Sequence, residues 1–416
     1  MFHVAAIRSV TGIYYGFRWL IPYPHEHNFL SLREIWQMNL QLTEEQILIR
    51  DMVREFVNTE VRPIAAEIDK AHRFPVESIA PMGAAGLFGF NIGEAYGGTE
   101  ADIISYVLAT EEMSKVSAAH AMIMGSQCSL TGPVIEKYAD EETRQRLLPG
   151  VVSGEKIGCF CLSEPGAGCD AAAQQTVAVR CGNEYVINGS KLWITAAPQG
   201  AFYIVFAMTD KSRGVKGITA FLVERDNPGI SIGIPEEKMG MNGSDTCSVS
   251  FSDCVVSESA RLGAEGQGFH IAMETLDGGR LSCAAIALGI AQSALDATIA
   301  YTKERIQFGK PIAANQGVQW MLVDMATRVD CARMLVLRAA AAKMACEPYT
   351  LESAQAKLYA SETASYVAQK AVQLHGGMGY TKSYPVERLM REAKLTEIFE
   401  GTSEIQRMVI AKHILA

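Results

Sequence analysis

The hydrophobic pattern changes period twice along the chain. From residue 38 to about 157 apolar positions recur at helical spacing, with a helix opening at Met38. Thr43 and Gln46 stand at capping-box separation, and Ile49, Met52, Val53 and Phe56 fall on one helical face behind them. Breaks are predicted at Pro63, at Tyr96-Gly97-Gly98, at Pro133 and at Pro149-Gly150. From 158 to 268 the period drops to two. Tyr185 to Ile187 and Leu192 to Ile194 flank an Asn188-Gly189 turn, Tyr203 to Phe206 and Ile218 to Val223 follow, and Val249 and Phe251 alternate with serine. Short antiparallel strands with glycine-rich turns predict a small barrel or sandwich. From 269 to 416 helix returns, and Leu322, Met325, Val329, Ala332 and Val336 step by three and four with charges off the seam, the pattern of long antiparallel helices in a four-helix-bundle-like unit. The fold class is therefore α+β multidomain: helical domain, β domain, helical domain.

Composition agrees with a folded chain of several packed units: 416 residues, 49% apolar and 20% charged. A net charge of −9 opposes a nucleic-acid backbone as the main partner. The longest charge-free run, Val116 to Ile135, contains Ser117, His120, Gln127 and Pro133, too polar for a lipid-facing helix, so no membrane span is predicted. The 10 cysteines are scattered without metal spacing and read as free thiols, with no metal site. Residues 1–37 carry no acidic residue before Glu26 and no persistent period. They read either as an organellar presequence, placing the protein in a mitochondrial matrix, or as upstream sequence translated from a misplaced start in a bacterial, cytoplasmic protein. The second is favoured, and the segment is expected to be dispensable.

Gly376-Gly377-Met378-Gly379 follows a helix rather than a strand and lacks dinucleotide-fingerprint spacing, so it reads as a helix-ending cap that lets backbone approach a ligand. The stretch Cys161 to Asp170, with Pro165 and three small residues, is either a linker or a rigid loop whose N–H groups hold a cofactor edge. Trp193 suits a core or the face of a planar cofactor. Near the C-terminus, Ser403 and Gln406 have capping-box spacing, which places Glu400 on the turn before a helix, beside Ile398 and Phe399. A carboxylate on such a turn is a candidate general base.

Two motifs, Leu162-Ser163-Glu164-Pro165-Gly166-Ala167-Gly168 and Gln373-Leu374-His375-Gly376-Gly377-Met378-Gly379-Tyr380 running on through Val386-Glu387-Arg388 to Glu400-Gly401-Thr402, resemble the acyl-CoA dehydrogenase family. The resemblance covers 38–416 and is nearest the short-chain, butyryl-CoA type. It implies FAD bound between the β domain and the C-terminal bundle, contacted by Phe160, Cys161, Leu162, Ser163 and Cys169, by Trp193, Ile194 and Thr195, and by Thr402, Ser403 and Glu404. It further implies that Arg305 and Gln316, with Gln373, Leu374, His375, Gly376 and Gly377, reach the FAD of a neighbouring subunit in a homotetramer. Cys169, Asp277, Gly278, Gly279, Arg280 and Gly401 match substrate-contacting positions, and Glu400 matches the catalytic base. The activity implied is oxidation of a short-chain acyl-CoA to the trans-2-enoyl-CoA in fatty acid β-oxidation, with electrons passed to an electron-transferring flavoprotein. The chemistry needs a thioester oxygen held by fixed donors, the backbone N–H of residue 400 among them, while the base takes the α-proton.

Three positions qualify this reading. Cys169 stands where serine is common, which removes a good hydroxyl donor. Gly279 occupies a position from which some relatives supply their base, leaving Glu400 alone. Ala121 lies where glutaryl-CoA enzymes carry an arginine, which argues against a dicarboxylic substrate. The runner-up is a dehydrogenase or enoyl-CoA reductase for a branched, cyclic or aromatic acyl-CoA. A flavin-binding scaffold or DNA-associated relative is the non-enzyme alternative.

Overall fold

The computed structural model describes residues 41–99 and 101–416, so the readings of residues 1–37 and of a helix opening at Met38 lie outside the described residues. The first helices are α1 Glu44–Phe56, α2 Arg62–Ala71, α3 Val76–Ala84, α4 Ile103–Ser114, α5 Ala118–Gly125, α6 Gly132–Tyr138 and α7 Glu141–Ser153. On α1, Val53 is buried, whereas Met52 of the predicted apolar face points outward. Helix α4 is started by Asp102, whose carboxylate accepts from Ser105 N at 2.7 Å and from Gln46 Nε2 at 2.7 Å. Pro63 and Pro133 do not break the helical path as expected: each is preceded by a π-helical segment, Val57–Val61 and Ser126–Thr131, whose flanking residues stay in right-handed helical backbone, so the wider turn accommodates the missing N–H. Pro149 does not break α7, contrary to the sequence expectation. That helix runs on to Gly154, whose left-handed φ of 78° ends it.

The middle strands are β1 Ile157–Cys161, β2 Val177–Cys181, β3 Glu184–Thr195, β4 Gly200–Met208, β5 Ile218–Glu224, β6 Ile230–Ile232, β7 Thr246–Ser257 and β8 Arg261–Leu262. They form one sheet in the order β6-β7-β3-β2-β4-β5-β8, with β1 also on β4. The expected antiparallel pairing holds except that β1 runs parallel to β4, as does the single pair Val177↔Met208. Strand β1 enters directly from α7 with no hairpin, so nothing forces it to oppose β4. Along β4 the period of two is plain: Phe202, Ile204 and Phe206 pack towards helical residues such as Leu148 and Ile271, while Tyr203, Val205 and Ala207 face Ile187, Phe221 and Phe251 across the sheet's own interior.

Asn188-Gly189 is not a turn. Strand β3 passes straight through it, with a bulge against β7 at that point, and the β2–β3 hairpin turns at Gly182-Asn183 instead. Glycine is needed at 189 because φ is 154° and a Cβ there would come within 2.7 Å of the Thr176 backbone.

The C-terminal unit contains α8 Gly268–Glu304, α9 Gln316–Met344, α10 Thr350–His375, α11 Val386–Thr396 and α12 Ser403–Ile414, with a small β9–β10 hairpin, Ile306–Gln307 and Lys310–Pro311, between α8 and α9. Helix α8 is long and apolar enough to cross a membrane by length and composition, but 67% of that apolar window is buried inside the fold. The predicted seam holds: Met325, Val329, Ala332 and Val336 are all buried. Not every neighbour is antiparallel. Thr350 on α10 donates to Asp277 on α8 at 2.5 Å near their starts, and the rings of Tyr301 and His375 stack at 4.2 Å near their ends, so α8 and α10 run parallel. An up-down-up path through three consecutive long helices leaves the first and third in one direction. All 10 cysteines are free.

Candidate active site

The site forms where the helical units meet the end of β3. Glu400 lies on the turn between α11 and α12 with φ of 56°, followed by Gly401 at 88°, so two consecutive residues adopt left-handed backbone. A non-glycine residue held there stores strain that the surroundings must offset. Gln406 Nε2 supplies part of that by donating to Glu400 O at 3.0 Å and Gly401 O at 2.8 Å. This replaces the capping box expected from Ser403 and Gln406. The cap is Thr402, whose Oγ1 accepts from Ile405 N at 3.3 Å, because its φ/ψ of −59° and 164° is the one outside the helix.

The Glu400 residue is half-buried, yet its Oε2 is enclosed and has no hydrogen-bond partner. It faces a small cavity lined by Gly125, Ser126 and Leu130 from α5 and the π-helical segment, Thr195 from β3, and Gly279 and Cys283 from α8. A Cβ on Gly279 would stand 2.4 Å from Glu400 Oε2, so the missing side chain is the space the carboxylate occupies. Burial pushes the Glu400 carboxyl up to about 7, against the pull of the Arg280 and Lys357 cations. Gly279→Ala is therefore expected to displace the carboxylate and lower turnover by up to about 10²-fold, the cost of a misplacement of about 1 Å, without loss of cofactor. Turnover and bound-cofactor absorbance measured on one sample check it.

The remaining predicted residues fall into two groups. In the first, close to Glu400, the 162–168 loop is fixed from below by Lys191, a fully buried lysine. Its Nζ donates to Leu162 O at 3.1 Å, Glu164 Oε1 at 2.9 Å and Gln174 Oε1 at 2.9 Å. Leu192 N also donates to Ser163 O at 2.9 Å. Cys169 and Thr402 approach to 3.8 Å, which joins this loop to the C-terminal turn. Gly166 and Gly168 have open space where a Cβ would stand, and the Ser403 hydroxyl is buried without a partner. Trp193 has φ of 63° at a bulge in β3, which turns its indole outward so that 57% of the residue is exposed. An unsatisfied hydroxyl, an open glycine loop and an exposed aromatic face fit the flavin expected from the motifs. Cys161 and Ile194, by contrast, point into the sheet interior and have only backbone to offer, and Phe160 packs its ring on Phe206 at 4.9 Å. Glu404 stands exposed in the first turn of α12.

Asp277 and Arg280 pair at 2.5 Å one helical turn apart, with Gly278 and Gly279 between them. Burial raises the Asp277 carboxyl despite this pairing and despite the Thr350 hydroxyl on its other oxygen. The second group, Arg305, Gln316, Gln373, Leu374, His375, Gly376 and Gly377, lies at the far end of the bundle around the Tyr301–His375 stack. Residue 375 is eighteen positions along α10 from Lys357, which touches the Glu400 turn, a span of about 27 Å at ~1.5 Å per residue. One chain does not bring the two groups together. Gly376 ends α10 with φ of 61°, as expected of a cap.

Lys191 and Lys357 are not among the residues that the sequence motifs single out. Each is a lysine on an otherwise apolar face, β3 in one case and the alanine-rich seam of α10 in the other, and that mismatch was the available signal.

Models of the acyl-CoA dehydrogenase N-terminal, middle and C-terminal domains match residues 43–155, 159–254 and 266–415. The chain is 50% identical to the short-chain specific acyl-CoA dehydrogenase of Clostridium acetobutylicum, over 91% of this chain and 100% of that one. Among solved structures it is similar to butyryl-CoA dehydrogenase from Megasphaera elsdenii, with a TM-score of 0.89 and 42% identity over 91% of this chain and 100% of that one. It is equally similar, with a TM-score of 0.89 and 47% identity over the same shares, to a chain in a structure described as the electron transferring flavoprotein of Acidaminococcus fermentans, towards a mechanism of flavin-based electron bifurcation.

Proposed function

The chain belongs to the acyl-CoA dehydrogenase family of FAD-dependent oxidoreductases, and from that premise we propose that it oxidises a short-chain acyl-CoA to the trans-2-enoyl-CoA and passes the electrons to an electron-transferring flavoprotein. The observation that carries this reading is the enclosed, unpartnered Glu400 carboxylate set against Gly279. Bound FAD would supply the two-electron acceptor. The chain's own residues then do the acid–base and positioning work.

Glu400 takes the α-proton. A carboxyl raised to about 7 is matched to proton transfer at neutral pH far better than an ordinary one. The backbone N–H of residue 400 donates to the thioester oxygen, and the strained turn fixes its direction. Thr195, Trp193, the 162–169 loop and Thr402 to Glu404 cradle the flavin. Asp277 to Arg280 and Gly401 border the acyl-CoA, with Cys169 contacting flavin or substrate through a thiol where a hydroxyl is usual. Arg305, Gln316 and residues 373–377 serve the cofactor of a neighbouring subunit in a homotetramer, which the separation of the two groups within one chain supports. A cytoplasmic site of action fits the bacterial relatives.

A short acyl chain is supported by the cavity wall. Tyr106, fully buried, donates to Ser282 Oγ at 2.7 Å, and this pair presses on Gly125, where a Cβ would meet Ser282 Oγ at 2.5 Å. The nearby Ala121 is buried and offers no cation for a second carboxylate. The purified protein is expected to be yellow, with one non-covalent FAD per chain, and butyryl-CoA to bleach it anaerobically faster than octanoyl-, glutaryl- or arylpropanoyl-CoA. Faster bleaching by one of those others would replace the substrate assignment, and a colourless protein that takes up no added FAD would overturn the whole reading.

A further inference from the structure

Lys357 is fully buried on the apolar seam of α10 between Ala356 and Ala360, a costly place for an ammonium group. Its Nζ donates to Gly401 O at 2.7 Å, the carbonyl that Gln406 also holds. It therefore straps the strained pair of residues that carries the base. The groups facing it are Arg280 and Cys283 from α8, Glu397 and Glu400 from the segment before α12, and Glu404 in α12. Most are already accounted for. Arg280 is paired with Asp277 at 2.5 Å, Glu397 with Lys394 at 2.7 Å, and Glu404 is exposed. Burial keeps the Cys283 thiol neutral, pushed up to about 12. Glu400 remains as the enclosed carboxylate without a hydrogen-bonded partner, drawn by Arg280 and then by Lys357, whose own ammonium burial pushes below its ordinary value.

We propose that Lys357 is a positioning residue for the Glu400 base, holding its turn through the Gly401 carbonyl and supplying the positive charge that keeps the enclosed carboxylate available to accept a proton. This rests on the reading of Glu400 as the base. Gln406 shares the mechanical part of the task but carries no charge, so the two contributions separate.

The test is the pH dependence of anaerobic flavin reduction by butyryl-CoA in FAD-loaded enzyme. The base must be ionised, so the rate rises with pH through the Glu400 titration. An opposite charge nearby lowers a carboxyl pKa by one or more units, so Lys357→Met should move this acid limb up by about one unit and recover rate at high pH. Lys357→Arg should leave the limb in place even where the rate falls. Gln406→Met removes donors from the same carbonyl and no charge, so its limb should coincide with wild type. A uniform loss across pH in Lys357→Met, or an equal shift in Gln406→Met, overturns the proposal. Should Lys357→Met fail to fold, Lys357→Gln reads the same limb with the same two outcomes. Glu400→Gln separates the two levels: near wild-type bleaching in that variant removes the base assignment itself, whereas an inactive Glu400→Gln beside an unshifted Lys357 variant removes only the role of Lys357.

Discussion

Glu400→Gln is expected to slow anaerobic flavin reduction by about 10²–10⁴-fold, towards the upper end, because no second carboxylate stands at Gly279 to take over. Glutamine keeps the size of the side chain and removes the base. Cofactor and ligand binding should persist, since on the proposed reading the thioester oxygen meets the main-chain N–H of residue 400, and the turn is held by Gln406 and Lys357 through main-chain carbonyls. The expected signature is a yellow protein whose flavin spectrum still responds to ligand but does not bleach. The wild-type rate should rise with pH through about 7, since burial raises the Glu400 carboxyl and only its ionised form accepts the proton. Bleaching at near wild-type speed would put the base elsewhere. Loss of FAD from the variant would make the position structural.

Lys191→Met should be the most destabilising single change near the 162–168 loop. The Glu164–Lys191 pair is buried on both sides, 5% and 0% exposed, and Glu164 also accepts from Gln175 N at 2.5 Å and Thr176 N at 2.9 Å. Burial pushes the Glu164 carboxyl up, but Lys191 and those backbone donors outweigh it and hold the carboxyl below its ordinary value. Removing the lysine leaves an uncompensated carboxylate and frees Leu162 O and Gln174 Oε1. Breaking a buried pair from one side costs about 3–5 kcal/mol, enough to lower Tm by several degrees and loosen the 162–168 loop. Thermal melts of apoprotein and holoprotein, with FAD release followed by fluorescence, measure both effects. An unchanged melt would show that the loop does not depend on the pair. A double change, Lys191→Met with Glu164→Gln, should recover part of the loss because no buried charge then remains.

Much of the architecture is legible in the sequence, because burial writes a period into the chain. The alternation at Tyr203 to Phe206 became β4, with its two faces in two different cores, and the three-and-four spacing from Met325 to Val336 became the buried seam of α9. Local chemistry also located Gly376 as a helix cap and Glu400 on a turn. The same local reading failed where a remote partner decided the outcome. Asn188-Gly189 has hairpin chemistry, yet pairing with β7 on one side and the approach of Thr176 on the other kept the strand straight and moved the turn to Gly182-Asn183. Ser403 and Gln406 have capping-box spacing, but Gln406 is more useful to the carbonyls of the strained turn, and Thr402 became the cap. What the chain determined by itself was periodicity, the helix end at Gly376 and the motif residues, since these depend on neighbours within a few positions. Only the tertiary structure decided that Gly279 would make room for the carboxylate of Glu400, that Lys191 would pin the loop beneath it, and that Lys357 would reach the Gly401 carbonyl. Each joins residues 27 to 121 positions apart, and the burial that raises the Glu400 carboxyl comes from elements the local sequence cannot specify.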